Sequence, residues 1–427
     1  MTIVRIPGLQ LTDHYCQVPL DYAQPSGEQI AVFAREVVAV GKAKSNLPYI
    51  LFLQGGPGSP SPRPMSRSGW LGRLLQEYRV ILLDQRGTGL STPIHHQTLA
   101  RFPNAQAQAD YLRHFRADNI VRDAERIRQH LLGDTPWSVL GQSYGGFCIA
   151  TYLSLAPEGL CEALFTGGLP PIGTSVDDVY RATYQRVKVQ NRRFYNRYPG
   201  DEKRIRDVVD FLQERPTVLP GGGTLSPRRL QQLGQGFGSA TGFESVHFLL
   251  EEAFVNGRSG QELNYTFLHN VEAMQPFELR PIYSLLHEAI YCEGAASKWS
   301  AERVRAEYPE FDVRDDQPLY FTGEMIYPWM FEEYPHLRPL QETAEILANI
   351  TDWPPLYDVT QLQKNTVPCV AAVYYDDMYV ERVFSEQTAD LIKGTRIWVT
   401  NQYDHSGLRM SGEIIVDRLL KMLRGEV

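Results

Sequence analysis

The 427-residue sequence has only five cysteines (Cys16, Cys148, Cys161, Cys292 and Cys369), odd in number, scattered, and without a C-x-x-C pair. That excludes a disulfide framework and a thiolate zinc site, and makes a reducing cytoplasm the expected compartment. No stretch approaches the roughly 20 apolar residues that a membrane-spanning helix requires. The opening "MTIVRIPGLQLTDHYC" lacks the apolar segment and small-residue cleavage site of a secretory leader. Basic runs are also missing: 42 Lys and Arg against 50 Asp and Glu leave a net charge of −8, so no nucleic-acid partner is expected. The glycine loop "QGGPG" (54–58) lacks a Walker lysine and the G-x-G-x-x-G spacing of a phosphate loop; neither a metal nor an organic cofactor is expected. Internal repeats and low-complexity tracts are absent too.

What is present is ordinary globular material, 43% apolar and 22% charged, enough for a large core and two or three domains' worth of chain. "QIAVFAREVVAV" (29–40) has the alternating, β-branched texture of a strand. "YILFLQ" (49–54) runs into "GGPGSPSP", and "YRVILLD" (78–84) into "QRGTG". Short apolar runs that end in glycine loops read as buried parallel strands. A helical pattern over 117–133 precedes the strand "WSVLGQS" (137–143), and "YGGFCIATYLSLAP" continues as a helix up to Pro157. Strand and helix in alternation imply an α/β fold with a mostly parallel sheet. After a further strand in "EALFTGGLPP" (162–171) the texture becomes aromatic, charged and helical. Sheet-like runs return at "VPCVAAVYY" (367–375) and "RIWVT" (396–400). The expected organisation is a first sheet-bearing part over 1–172, a large, mostly helical cap inserted over 173–352, and a second sheet-bearing part over 353–427. "PGGGTLSP" (220–227) reads as a loop within the insertion.

The element order gives meaning to "GQSYGGF" (141–147). A nucleophile elbow needs a strand, a turn tight enough to demand small flanking residues, and a helix; "WSVL", Gly141 with Gly145, and "GGFCIATYLSL" supply them. Ser143 is therefore the candidate nucleophile of an α/β-hydrolase fold. In that fold the acid and the histidine follow in order, each on a loop after a late strand. Asp376 and Asp377 compete for the first role, and His405 takes the second, with Asp404 beside it as a decoy. The oxyanion donors expected are the backbone amides of Tyr144 and Gly56, with Gly55 next. Asp84 to Gly87 reads as a brace. Tyr144, Phe147, Tyr327 and Trp329 suit either the core or an apolar pocket wall.

Four segments together, "GGPG" (55–58), "DQRGTGLST" (84–92), "GQSYGG" (141–146) and the pair "YYDDM" with "DHSG", resemble the prolyl aminopeptidases, or proline iminopeptidases, of the α/β-hydrolase superfamily. "VPLDYAQPSGEQIAVFAREV" (18–37) resembles the start of the family's larger members. The resemblance implies a triad of Ser143, Asp377 and His405, with Asp377 preferred because Met378 follows it. It also implies two cap glutamates that bind the substrate's N-terminal nitrogen: Glu293 in "YCEG" and Glu324 in "GEMIYPWMF". Where the family often carries histidine before its glycine loop, this chain has Gln54. The implied substrates are small peptides with N-terminal proline. A tripeptidyl aminopeptidase, an esterase and a catalytically silent binding protein remain alternatives, and homo-oligomerisation is left open.

Overall fold

The computed structural model describes residues 2–258, 260–314 and 316–427. Seven strands come first: β1 (Thr2–Ile6), β2 (Leu9–Pro19), β3 (Gln29–Ala39), β4 (Tyr49–Leu53), β5 (Arg79–Asp84), β6 (Trp137–Gln142) and β7 (Leu160–Thr166). Two small hairpins follow, β8 (Thr217–Val218) with β9 (Thr224–Leu225) and β10 (Phe254–Gly257) with β11 (Gly260–Leu263). β12 (Cys369–Tyr374) and β13 (Thr395–Thr400) return to the main sheet, whose order is β1-β2-β3-β5-β4-β6-β7-β12-β13. From β5 to β13 every neighbouring pair is parallel, while β1, β2 and β3 add an antiparallel edge.

Alternation along the strands supplies both faces of the sheet. Ile50, Phe52, Leu140 and Leu164 pack under helices Gly69–Leu74 and Gly407–Arg424. Leu51, Leu53 and Val139 face the opposite way, toward helices Ala117–Leu132 and Tyr144–Leu155 and the insertion. Because β4, β5, β6, β12 and β13 are parallel, their C-terminal ends meet along one edge. That edge carries the glycine loop, the Asp84 loop, Ser143, Asp377 and His405.

Between β7 and β12 the chain is helical, beginning with Val176–Arg197, apart from the two hairpins. Arg116, buried, reaches across from the sheet side to the carbonyls of Ala289 (3.0 Å), Cys292 (2.7 Å) and Pro354 (2.6 Å). A second buried arginine, Arg86, grips both Asp123 oxygens at 2.7 and 2.6 Å and donates to the carbonyls of Pro19, Leu20 and His114. Among the described residues no helix is long and apolar enough to cross a membrane.

Two local readings change. β1 and β2 are strands that the sequence pattern does not reveal. β2 pairs with β3 over eleven residues, from Leu9 opposite Ala39 to Pro19 opposite Gln29. Its mixed burial lacks the clean two-residue alternation that reveals a strand. The 220–227 segment, read as a loop, forms the turn and second strand of the β8–β9 hairpin, with the Gly221 amide donating to Glu272.

Candidate active site

The backbone turns most sharply where β6 ends. Ser143 has φ 55° and ψ −127°, a conformation that costs a non-glycine residue about 1–3 kcal/mol. Its flanks are glycine because nothing larger fits. A β-carbon on Gly145 would lie 1.9 Å from the Leu53 carbonyl oxygen, and one on Gly141 would lie 2.5 Å from Gly145. The turn is held by the Ser143 amide donating to Thr166 O (3.0 Å) and by the Gly146 amide donating to Ser143 O (2.7 Å). Helix Tyr144–Leu155 begins at once. The Tyr144 N–H is therefore among the first amides of the helix, which have no partner within it.

The glycine loop after β4 runs against the same turn. A β-carbon on Gly55 would be 2.8 Å from Ser143 Cβ, and Gly56 has φ 145°. This loop is held from β5. Buried Asp84 accepts the Ser61 amide (3.0 Å), the Leu90 amide (2.8 Å) and both Arg63 terminal nitrogens. Gln85 Nε2 donates to Gln54 O at 3.0 Å. The 84–87 loop thus braces the glycine loop through hydrogen bonds.

Asp377, after β12, and His405, after β13, are both buried. His405 Nδ1 lies 2.7 Å from Asp377 Oδ2, and Asp377 Oδ1 accepts the amides of Tyr379 (2.9 Å) and Val380 (3.1 Å). Asp377 therefore fixes both the acid loop and the imidazole. Nε2 points to the end of β6, 3.4 Å from Gln142 Nε2, an arrangement that suits a proton on Nδ1 and a free lone pair on Nε2. The Tyr379 ring packs edge-on against the imidazole at 4.7 Å. Burial pulls the imidazole pKa down, but the charge of Asp377, its hydrogen bond and the charge of Glu324 outweigh burial and hold it above the ordinary value. Asp376 points elsewhere and pairs with Arg193 (3.0 Å) and Arg186 (3.7 Å) of the insertion. Burial, then the charges of Asp377 and Asp376, raise the Asp404 carboxyl above its usual range.

Ser143 and His405 open into a cavity of about 280 Å³ that Gly55, Gly56, Tyr283, Glu324 and Tyr379 also line. Glu324 is half-buried there and accepts a hydrogen bond from the Tyr283 hydroxyl at 2.7 Å. Glu293 is not brought to this cavity. Its Oε1 accepts the backbone amides of Leu356 (2.5 Å) and Tyr357 (3.1 Å), and it lines a separate cavity with Asp177, Tyr291, Arg303 and Tyr357. The two cavities share no lining residue; Tyr291, packed on Phe147 and His287, walls off the second. The two glutamates expected together at the substrate's N-terminal nitrogen thus line different cavities, and only Glu324 lines the one that holds Ser143. Tyr144, Phe147 and Tyr327 are buried in the core. Trp329 packs on Tyr327 and Arg228, again away from Ser143.

Sequence reasoning missed Gln142, Tyr283, Met274, Pro276, Arg280, Tyr379 and Arg409, all of which line the serine's cavity. Only Gln142 and Tyr379 carried a usable signal, standing one and two residues from Ser143 and Asp377. Among the described residues no group of three His, Cys, Asp or Glu side chains is placed to hold a metal ion.

The strand order, the strained serine after β6, and a match of residues 48–210 to the α/β-hydrolase fold family model place the chain in the α/β-hydrolase class. Over 420 residues it is 51% identical to a proline iminopeptidase of Aeromonas sobria, covering 98% of each chain. It is also 36% identical to a proline iminopeptidase of Aspergillus aculeatus, over 95% of this chain and 92% of that one. The chain belongs to the proline iminopeptidase family. Similarity to a tripeptidyl aminopeptidase of Streptomyces coelicolor, 27% identical, is confined to 34% of this chain and 32% of that one.

Proposed function

We propose that this enzyme is a serine exopeptidase that releases N-terminal proline from peptides through an acyl-enzyme, with Ser143 as nucleophile, His405 as base and Asp377 as the group that orients it. One observation carries the reading. In a chain half identical to a named proline iminopeptidase along its whole length, a serine on a strained turn shares one cavity with a carboxylate-held histidine and a half-buried glutamate.

Glu324 receives the substrate's charged imino nitrogen, which sets the scissile carbonyl over Ser143. His405 Nε2 takes the hydroxyl proton as Ser143 Oγ attacks, and the oxyanion lies against the amides of Tyr144 and Gly56. The imidazolium then gives its proton to the departing amine, leaving proline esterified to Ser143. Water, deprotonated by the same nitrogen, hydrolyses the ester. Residues 173–352 act as a cap that supplies Glu324 and roofs the cavity. Five cysteines, all free, support a reducing, cytoplasmic setting.

A proline arylamide and its N-acetyl derivative test this reading. Acetylation removes the nitrogen's charge and leaves Glu324 unpaired, so turnover is expected to fall by roughly 100-fold or more. Equal turnover of the two would sink the aminopeptidase reading in favour of a general amidase or esterase.

The pH profile follows from His405. Its base form must be neutral, and because its pKa is raised, the acid limb of kcat/KM is expected above the free imidazole value of about 6.5. Glu324→Gln removes one of the anions that raise it, so the limb should move to lower pH while KM for the arylamide rises. A limb that stays in place in the variant would show that Glu324 does not act on the imidazole.

A further inference from the structure

A third cavity, of about 250 Å³, lies wholly within the insertion and shares no lining residue with the cavity of Ser143. Its walls come from helices Pro227–Gln231 and Ser300–Arg305 and from the 311–313 and 322–329 segments. Phe311, Val313 and Trp329 give it apolar surface. The charged side chains that line it, Glu302 and Asp312 against Arg228 and Arg305, cancel. Its volume falls short of the roughly 300–1,000 Å³ that sites for drug-sized ligands reach, and suits a ligand no larger than a single amino acid.

Two polar atoms here are left over by the protein's own bonding. Glu302 Oε1 accepts from Arg305 Nε at 3.3 Å, but Glu302 Oε2 is shielded from solvent and, among the described residues, meets no donor. Thr322 is buried, and its Oγ1 has no hydrogen-bond partner among them either. A carboxylate oxygen out of water is costly to leave unmatched, and an ammonium is the donor that matches it best. The complementary group stands beside it. Arg305 gives Nε to Glu302 and Nη1 to Asp312 (2.9 Å), and neither bond takes Nη2. An acceptor for an ammonium, a guanidinium for a carboxylate and an apolar wall, all in one small neutral cavity, are the contacts that an α-amino acid with an apolar side chain requires.

We infer that this cavity is a second ligand site, which takes a free apolar amino acid: its ammonium on Glu302 Oε2 and Thr322 Oγ1, its carboxylate on Arg305, its side chain against Phe311, Val313 and Trp329. The inference goes beyond the exopeptidase reading and stands without it, although free amino acids are what such an enzyme leaves behind. One chain segment joins the two sites. Thr322, Tyr327 and Trp329 line this cavity, and Glu324, two residues after Thr322, lines the serine's. The Tyr327 hydroxyl also meets that of Tyr184 at 2.9 Å, on the Val176–Arg197 helix whose arginines take Asp376. A seated amino acid is thus coupled, through a few residues of chain, to the position of Glu324.

L-valine is the probe, titrated against tryptophan fluorescence, because Trp329 lines this cavity and, among the described residues, no tryptophan lines the serine's. A saturable change is expected in the parent and should be lost in Trp329→Phe. Glu302→Gln should weaken binding roughly tenfold, the scale of one charge-assisted hydrogen bond, and should keep the parent's turnover of a proline arylamide, which also certifies its fold. N-acetylvaline and valine amide each lack one of the two charges and should bind about tenfold more weakly than L-valine. L-valine should also change KM for the arylamide by about fivefold in the parent, the lower scale of coupling between sites, and by much less in Glu302→Gln. No saturable signal in the parent, a signal that survives Trp329→Phe, or equal affinity in Glu302→Gln overturns the site and leaves the exopeptidase reading intact. An equal change of KM in parent and variant would put the amino acid in the serine's cavity and overturn it too. Binding with KM untouched would keep the site and overturn its coupling to Glu324.

Discussion

Replacing Ser143 by alanine is expected to lower kcat on a proline arylamide by about 10,000- to 1,000,000-fold, the scale on which removal of a serine nucleophile operates when binding and oxyanion donors remain. Alanine keeps the β-carbon, and the bonds that hold the turn are made by backbone groups. The variant's unfolding free energy should therefore stay within about 1 kcal/mol of the parent's. A serine-directed phosphonate should label the parent chain and leave Ser143→Ala unlabelled. Turnover within tenfold of the parent's would remove Ser143 from the mechanism. An unlabelled parent would instead favour a silent binding protein on this fold.

Asp377→Asn is expected to cost about 10,000-fold in kcat while the chain still folds. The amide oxygen of asparagine can go on accepting from Tyr379 and Val380. Its NH2 would then face His405 Nδ1, which must become the acceptor and so push the imidazole proton to Nε2. In that tautomer Nε2 cannot take the serine proton. Asp376→Asn is the matched control, because Asp376 meets Arg186 and Arg193 rather than His405; its activity should fall by less than about tenfold. A larger loss in Asp376→Asn than in Asp377→Asn would reverse the assignment.

The strand ends and the serine turn were legible because their causes are local. Leu53 O stands 1.9 Å from where a Gly145 β-carbon would be, so the turn demands glycine, and glycine is visible in the sequence. The order serine, aspartate, histidine was visible for the same reason, since each follows a recognisable strand. The choice between Asp376 and Asp377 is set by the Val176–Arg197 helix, almost 200 residues earlier, whose arginines take the first aspartate; no local pattern contains that. Glu293 and Glu324 both occur in suggestive contexts, but whether a carboxylate meets Ser143 depends on where Tyr291 and the 354–357 segment pack. β2 is not legible in the sequence because its identity as a strand lies in eleven pairings with β3 rather than in its own alternation.

The adjacent aspartates bear on how freely this enzyme could be rebuilt. Asp377 holds the imidazole, while Asp376 is tied to Arg193 and Arg186, and Arg186 is bound in turn by Glu381 at 2.5 and 2.7 Å. Helix Val176–Arg197 is thus fastened to the very loop that carries Asp377. A chimera that takes its 173–352 segment from another relative must bring cations at positions 186 and 193, or replace the 376–381 loop along with it. A transplanted segment without those arginines would leave both Asp376 and Glu381 unpaired beside the loop that carries Asp377, so its exchange alone is expected to cost more activity than the single Asp376→Asn change.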